Sequence, residues 1–305
     1  MYDKRLSKNN TFKVKLQIPS YAKVNLYLKV LGKRPDKYHD IVTIFEKISL
    51  KDTISLTLRP DNRITIASSG EKIPNDSNNL AYKAAKILQD SFNPKKGVDI
   101  KINKRIPVGS GLGGGSGNAA AVLAGLNKLW KLRRSEKALA GLAAKIGSDA
   151  AFFVFNTSFA IGRGRGERVK PLKLALRKKL WHVVCVPRTN VSTPLIYKEF
   201  DALRKVRLTR PDHDVKILIQ ALQQSDLSLL GRSLYNSLEE VTFRLFPRLC
   251  RIKQDLIRFG GSCAMMTGSG SAIFSVLPSG KEARSLAAQL KKKYRSSRIF
   301  VCRTV

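Results

Sequence analysis

Apolar and polar residues alternate through the first third of the chain in short runs that favour β-strands. Turn-forming residues separate these runs at Arg34-Pro35-Asp36 and at Lys51-Asp52. The predicted strands are VKLQI (14–18), VNLYLKVLGK (24–33), DIVTIFEKISL (40–50), TISLTLRP (53–60), RITIA (63–67) and GVDIKINKRIP (97–107). Between the last two, apolar residues recur at helical spacing, which predicts a helix over 80–92.

Helical spacing dominates the middle of the chain. Val122, Leu123 and Leu126 lie on one face of a predicted helix over 118–130. Ser135 is a predicted N-cap for a second helix, which ends at Gly147.

Both patterns return in the last part of the chain. Strands are predicted over 181–187, on both sides of a glycine turn in 265–277, and over 298–305; helices are predicted over 216–224, in one or two pieces of 236–260, and over 281–294. We therefore predict an α+β fold with mixed and antiparallel sheets. We expect two domains, 1–165 and 166–305, with a soft boundary near residues 162–167.

The composition is that of a globular protein, with 43% hydrophobic and 26% charged residues in 305. No apolar stretch has membrane-spanning length, and the basic N-terminus lacks the apolar centre of a secretory signal. The four cysteines (Cys185, Cys250, Cys263 and Cys302) have no CxxC spacing, so neither a zinc site nor a disulfide framework is indicated. We expect a cytoplasmic protein with reduced cysteines and no membrane partner.

The formal net charge of +35 is extreme and raises the alternative of a nucleic-acid-binding protein. The basic residues are spread along the whole chain, and the densest runs are not interleaved with aromatic residues as in single-strand binders. We interpret them as a solvated surface that attracts anionic substrates, without a specific nucleic-acid partner.

The segment PVGSGLGGGSGN (107–118) carries the strongest chemical signal, because six glycines leave few Cβ atoms in the way of an approaching ligand. Its N–H groups can turn inward, and the following helix aims its positive dipole end at the same point. The sequence thus predicts a polyphosphate site.

Three common phosphate loops do not fit this segment. The G-x-G-x-x-G match is weak, because the preceding KINKRIP is charged and Pro107 stands directly before the loop. A Walker A loop would end in Gly-Lys-Ser/Thr, and the protein-kinase HRD and DFG motifs are missing from the sequence.

The loop resembles that of the GHMP kinases, P-x-G-x-G-L-G-S-S-A. Further segments resemble motifs of this family in the same order, namely AKVNL (22–26), RPDKYH (34–39), IGSDAAFF (146–153), STPLIY (192–197) and MTGSGS (266–271). The resemblance implies a two-domain GHMP kinase fold with the active site in the cleft between the domains. It also implies an ATP-dependent small-molecule kinase that uses Mg²⁺, for which we assign no dedicated protein ligand.

The longer G-L-G-G-G-S form of the loop narrows the implied substrate. It implies phosphorylation of the 2-hydroxyl of a cytidine-diphosphate-linked methylerythritol, in non-mevalonate isoprenoid biosynthesis. Another kinase of the family, acting on homoserine or mevalonate, stays an alternative. Gly117 departs from the family, which usually has a second serine there, so hydroxyl-assisted metal binding is in question at this position.

The predicted ATP site is the glycine loop, whose amides and serine hydroxyl would bind the β- and γ-phosphates. Its residues are Pro107, Gly109, Gly111, Leu112, Gly113, Gly114, Gly115 and Ser116. The resemblance adds Asn79 and Leu80 as lining of the adenine pocket.

Asp149 is the candidate base, since its apolar neighbours would partly desolvate the carboxylate. From the residues alone, a helix cap after Gly147-Ser148 is an equal alternative. Lys23 lies in an apolar strand and, taken alone, is more typical of a surface lysine. The resemblance implies that Lys23 pairs with Asp149 and orients the substrate hydroxyl.

The cytidine would need stacking surfaces and hydrogen bonds to its edges. Tyr38 and Tyr197 are predicted to sandwich the pyrimidine, with His39 and Asn25 contacting its polar edges. Without the motif context, each of these residues is more typical of a structural or solvated side chain.

Overall fold

The computed structural model describes residues 14–174, 179–206 and 214–305. The described residues form the predicted α+β fold and divide into two compact units. The first unit comprises the described residues up to Ala22, Leu50–Val108 and Gly113–Asn156. The second comprises Lys23–Ser49, Gly109–Leu112 and the described residues of Thr157–Val305. The division of the chain into domains at 165/166 stays a prediction.

Two long strands, β1 (Lys15–Lys33) and β2 (His39–Arg59), contribute residues to both units. The predicted break at Lys51-Asp52 is wrong, because β2 runs through it without interruption. Asp52 occupies the same inward-facing set of positions as Ile54 and Leu56, so the period-two pattern of the strand continues through this carboxylate.

In the first unit, β4 (Gly97–Lys104) lies between β2 and β3 (Ile64–Gly70). β4 is antiparallel to β2, with Ile54 opposite Ile102, and parallel to β3. Helix α1 (Leu80–Phe92) makes the crossover that two parallel neighbours require.

Three further helices belong to the first unit: α2 (Gly114–Leu129), α3 (Glu136–Ile146) and α4 (Ala150–Val154). Ser135 caps α3 as predicted, since its hydroxyl accepts a hydrogen bond from Ala138 N at 3.2 Å. Helix α2 begins at Gly114, earlier than the predicted residue 118, so its first turn is made of the glycine segment itself.

In the second unit, the hairpin of β5 (Phe159–Gly164) and β6 (Arg168–Leu172) pairs with β2 through β5, and β8 (Tyr235–Asn236) pairs with β1. A second, antiparallel sheet contains β7 (Trp181–Val186), β9 (Cys263–Met266), β10 (Ile273–Leu277) and β11 (Arg298–Arg303). The order in this sheet is β11-β7-β10-β9.

The helices of the second unit are α5 (Thr193–Val206), α6 (Val215–Gln224), α7 (Leu227–Ser233), α8 (Glu239–Leu245), α9 (Pro247–Arg258) and α10 (Gly280–Lys293). Helices α9 and α10 bury Ile252, Leu256, Leu286 and Leu290 in the same apolar core as Ile273 of the sheet. Buried apolar area of this kind is the main favourable contribution to folding.

All four cysteines are free thiols, and Cys185, Cys263 and Cys302 are buried. Burial raises the pKa of Cys185 to about 12 and that of Cys263 to about 11, so both thiols stay protonated at neutral pH. Among the described helices, none combines the length and apolar character needed to cross a bilayer.

Candidate active site

The glycine loop has the backbone geometry that its composition predicts. Gly109, Gly111 and Gly113 have φ angles of +66°, +79° and +69°, in the left-handed region that side-chain-bearing residues rarely adopt. Three residues of the segment directly before α2 therefore have a backbone conformation that glycine adopts without strain.

In the second unit, residues Gly109–Leu112 of the glycine loop pack on the C-terminal glycine motif (266–271). A Cβ on Gly111 would lie 2.4 Å from the carbonyl oxygen of Thr267, so only glycine fits there. The carbonyl oxygen of Ser110 accepts a hydrogen bond from Ala272 N at 3.1 Å. The two glycine-rich segments therefore support each other through backbone contacts.

In the first unit, the start of α2 gathers several residues predicted for the nucleotide. The first-turn N–H groups of a helix have no intrahelical acceptor, and they lie at the positive end of the helix dipole. A Cβ on Gly115 would lie 3.4 Å from Leu80 Cδ1, and one on Gly147 would lie 3.5 Å from Ser116 Oγ. Leu80, Ser116 and the turn before Asp149 thus border the same helix start.

Asn79 also has a structural role in the first unit, which was not predicted from the sequence. It is the N-cap of α1, where its Oδ1 accepts a hydrogen bond from Ala81 N at 2.9 Å. Its Nδ2 donates to the carbonyl oxygen of Pro74 at 2.7 Å. These bonds fix the start of α1 and so the position of Leu80; the adenine contact of Asn79 itself stays a prediction.

Asp149 occupies the N-cap position of α4, but its side chain makes no capping hydrogen bond. Its backbone has helical angles, with φ −82° and ψ −11°, rather than the extended angles typical of a capping residue. The geometry therefore disfavours the capping alternative for this carboxylate.

Lys23 is buried at 2% exposure, which excludes the surface alternative. Its Nζ donates to Asn25 Oδ1 at 2.6 Å and lies 5.7 Å from the centre of the Phe45 ring. Its backbone N–H donates to the carbonyl oxygen of Leu112 at 3.0 Å, which ties β1 to the glycine loop within the second unit.

Both polar atoms of the Asn25 side-chain amide make hydrogen bonds. Oδ1 also accepts from Thr267 Oγ1 at 3.1 Å, and Nδ2 donates to Thr43 Oγ1 at 2.8 Å. This network orients the amide oxygen toward the Lys23 ammonium. The predicted contact of Asn25 with the pyrimidine stays a prediction.

His39 and Tyr197 lie together, with ring centres 4.6 Å apart and planes inclined by 26°. His39 Nε2 donates to Asp201 Oδ1 at 2.7 Å, and Lys33 Nζ donates to Asp201 Oδ2 at 2.9 Å. Burial raises the pKa of Asp201, but these hydrogen bonds outweigh it and hold the pKa below its ordinary value. Asp201 is thus an ionised anchor for the His39 ring, which stacks on Tyr197.

Tyr38 is 55% exposed, which is unusual for a large aromatic side chain, and the Arg165 guanidinium lies 4.8 Å from its ring centre. Its ring therefore offers accessible surface next to a cation. The predicted sandwich of a pyrimidine between Tyr38 and Tyr197 stays a prediction.

The residues that support the candidate side chains have little or no signal in the sequence. Thr267 and Thr43 hold Asn25, and Asp201 holds His39. In the sequence, Thr267 is marked only as part of the C-terminal glycine motif. Asp201 has no local signal, because it lies far from His39 in the chain.

Gly117 is a close-packing position in the first unit. A Cβ there would lie 2.8 Å from the carbonyl oxygen of Tyr21 and 2.9 Å from Ser20 Oγ. We expect Gly117→Ser to lower the free energy of unfolding by about 1–3 kcal/mol, because the added atoms overpack the contact of β1 with α2. Denaturant unfolding measures this.

A matched control for Gly117→Ser is Gly141→Ser in α3, where a Cβ would meet no atom within 4 Å. The control should be as stable as the wild type or more so, since serine has the higher helix propensity. Equal stability of both variants would contradict the close-packing explanation.

Family profiles match both halves of the chain. The profile described as "GHMP kinases N terminal domain" matches residues 79–157, and the one described as "GHMP kinases C terminal" matches residues 218–296. The first match covers α1, the glycine loop and Asp149.

Curated and solved relatives agree with these matches. The chain is 41% identical over 266 residues to a 4-diphosphocytidyl-2-C-methyl-D-erythritol kinase of Geobacillus thermodenitrificans, covering 87% of this chain and 89% of that protein. A crystal structure of a 4-(cytidine 5'-diphospho)-2C-methyl-D-erythritol kinase superposes with a TM-score of 0.78 at 34% identity, covering 94% and 98% of the two chains.

A more distant structure shares the fold alone. The crystal structure of L. major mevalonate kinase in complex with R-mevalonate superposes with a TM-score of 0.76 at 19% identity, covering 98% of both chains. The chain belongs to the GHMP kinase family and is a small-molecule kinase.

Proposed function

We propose that this kinase transfers the γ-phosphoryl group of ATP to the 2-hydroxyl of 4-diphosphocytidyl-2-C-methyl-D-erythritol, in isoprenoid precursor biosynthesis. The observation that carries the proposal is the 41% identity over 87% of the chain with a relative named for that substrate. Relatives named for mevalonate share the fold at much lower sequence identity, so the fold alone does not indicate the substrate.

The triphosphate is bound at the glycine loop and the start of α2. The amides of Gly111–Gly115 and the hydroxyl of Ser116 contact the β- and γ-phosphates, and Pro107, Gly109 and Leu112 shape the approach. The positive φ angles of Gly109, Gly111 and Gly113 support this, since such a backbone, free of side chains, lets phosphate oxygens approach the N–H groups before a helix. Leu80, beside Gly115, packs on the adenine, with Asn79 fixing its position.

Mg²⁺ accompanies the triphosphate and neutralises charge that develops on its oxygens. The described residues contain no cluster of three or more His, Cys, Asp or Glu side chains suited to a metal ion. Mg²⁺ in kinases usually keeps several waters and is bound through one or two carboxylates and the substrate phosphates. Gly117 adds no ligand, because there is no space for a side chain.

Asp149 and Lys23 act on the accepting hydroxyl. Asp149 takes the hydroxyl proton as the alcohol oxygen forms its bond to the γ-phosphorus. The bond from that phosphorus to the β–γ bridging oxygen breaks, and ADP leaves with the electron pair. Lys23 stabilises the negative charge on the reacting oxygens. The burial of its ammonium supports this role, because charges interact more strongly away from water.

The cytidine is bound by the aromatic residues of the second unit. Tyr38 and Tyr197 supply stacking surfaces, while His39 and Asn25 supply polar contacts. The exposed ring of Tyr38 and the anchored His39–Tyr197 pair support this assignment.

Removing either tyrosine ring is expected to weaken binding of the cytidylylated substrate only. Stacking of one base is worth about 1–3 kcal/mol, so Tyr38→Ala or Tyr197→Ala should raise its KM about 5- to 150-fold. The KM for ATP should stay near the wild-type value. Steady-state kinetics with each substrate varied in turn measures both constants, and a rise in the KM for ATP alone would contradict the assignment.

An ADP-release assay tests the proposed substrate. The protein is given ATP and Mg²⁺ with 4-diphosphocytidyl-2-C-methyl-D-erythritol, homoserine or mevalonate in separate reactions. ADP release should require the cytidylylated alcohol. Faster release with homoserine or mevalonate would refute the proposed substrate and retain the kinase.

A further inference from the structure

A lysine and an aspartate occupy core-facing positions of the first unit, next to the start of α2. On β4, Val98, Ile100 and Ile102 point inward, and Lys104 is the next residue of this set. On β2, Asp52 precedes Ile54 in the same way. Since Ile54 lies opposite Ile102, the antiparallel register brings Asp52 opposite Lys104. Lys104 is 4% exposed and Asp52 is fully buried.

The buried carboxylate holds the chain where it enters the loop. Asp52 Oδ1 accepts hydrogen bonds from Arg105 N at 2.7 Å and from Ile106 N at 2.8 Å. Lys104 Nζ donates to Asp52 Oδ2 and to the carbonyl oxygen of Ile106, both at 2.7 Å. The backbone of the two residues before Pro107 is therefore fixed by this ion pair.

The same carboxylate also holds the helix that follows the loop. Asn118, in α2, donates from Nδ2 to Asp52 Oδ2 at 3.0 Å and to Ser20 Oγ at 3.1 Å. A Cβ on Gly114 would lie 2.8 Å from Lys104 Nζ, so the ammonium lies directly against the first turn of α2. Asp52 thus connects the residues on both sides of the glycine loop.

A gain in folding stability is a poor explanation for the burial of this ion pair. Removing two charges from water costs several kcal/mol per ion, and apolar residues in these positions would often be as stable. The pair as a whole is neutral, so its net charge does not attract the triphosphate. What the pair provides is a set of directed hydrogen bonds to one backbone segment and one helix.

We propose that Asp52 and Lys104, with Asn118, are positioning residues that hold the glycine loop in the shape that binds the β- and γ-phosphates of ATP. The inference rests on the proposed ATP-binding role of the loop. The three residues act through the loop backbone and do not contact the nucleotide themselves.

The test compares Asp52→Asn, Lys104→Met and Asn118→Ala for binding of ATP and AMP by calorimetry. AMP lacks the β- and γ-phosphates, so its affinity should change little. We expect each variant to weaken ATP binding by about 10- to 100-fold, because a small displacement of a positioned group has effects of that size. Asn118→Ala leaves no charge unpaired and so keeps the test available if an ion-pair variant does not fold.

The charges that the variants leave behind separate positioning from simple electrostatics. Asp52→Asn leaves a buried cation beside the loop, whereas Lys104→Met leaves a buried anion. Positioning predicts weaker ATP binding in both, whereas an electrostatic effect alone predicts tighter binding in Asp52→Asn and would overturn the proposal. The matched control is Glu46→Gln, an equally buried carboxylate that bonds His182 in the second unit. It should bind ATP like the wild type.

Two further outcomes have distinct meanings. Variants that unfold more easily but bind ATP and AMP as tightly as the wild type would show a structural role alone and overturn the inference. A wild-type protein that does not bind ATP would refute the proposed function, and the inference with it. The wild-type titration therefore tells the two failures apart.

Discussion

Replacing Asp149 by asparagine is expected to lower kcat by about 10³-fold or more while ATP still binds. Asparagine has nearly the same shape as aspartate but does not accept the hydroxyl proton at neutral pH. The fold should tolerate the change, because the Asp149 side chain makes no capping hydrogen bond to α4. ADP-release kinetics and an ATP titration measure the two quantities.

A matched control for Asp149→Asn is Asp226→Asn at the N-cap of α7. Asp226 does cap its helix, since its Oδ1 accepts from Leu229 N at 2.9 Å, and asparagine caps equally well. The control should retain wild-type turnover. Near-normal turnover of Asp149→Asn would rule out its role as the base.

Replacing Lys23 by methionine is expected to lower kcat by about 10²- to 10³-fold, with a smaller effect on the KM for ATP. Methionine keeps most of the buried side-chain volume but removes the ammonium that would stabilise charge on the reacting oxygens. Asn25 Oδ1 keeps a hydrogen bond from Thr267 Oγ1, so the site should not collapse. Steady-state kinetics and a thermal unfolding curve measure the outcome.

The control for Lys23→Met is Lys15→Met, an exposed lysine at the start of the same strand. Turnover of this variant should match the wild type. If Lys23→Met lost activity only in proportion to lost folded protein, the ammonium would have a structural role and no part in phosphoryl transfer.

Local backbone rules predict the glycine loop but not where its helix begins. The sequence predicts positive φ angles because glycine adopts them freely. The same glycines disfavour a helix start at Gly114, since glycine has low helix propensity. The structure resolves this conflict by close packing in the first turn of the helix, where a Cβ on Gly117 would lie 2.8 Å from the carbonyl oxygen of Tyr21 and 2.9 Å from Ser20 Oγ. Such contacts depend on strands far away in the chain.

Charge in the sequence conceals the burial of two strand residues. Lys51-Asp52 is typical of a turn, and the charge of KINKRIP disfavours a buried strand. In the structure, Asp52 and Lys104 are buried because each neutralises the other. The alternation with Ile54 and Ile102 could have placed both residues inward, but their pairing depends on the register of β2 with β4.

Family resemblance identifies the catalytic candidates, and the structure supplies their surroundings. From the residues alone, Lys23 is more typical of a surface lysine, and a helix cap is an equal alternative to the base for Asp149. The burial of Lys23 and the absence of a capping bond from Asp149 remove both alternatives within their own units. Thr267 reaches Asn25 across 242 residues of sequence, so no local pattern predicts that contact.

Phosphorus NMR of the reaction product tests the central claim most directly. The protein is incubated with ATP, Mg²⁺ and 4-diphosphocytidyl-2-C-methyl-D-erythritol, and the new phosphomonoester signal is recorded without proton decoupling. The carbon that bears the 2-hydroxyl also carries the methyl group and no hydrogen, so a phosphate on that oxygen should give an unsplit signal. A signal split by protons would place the phosphate on another hydroxyl, and the absence of a new monoester would mean that this alcohol is not the substrate.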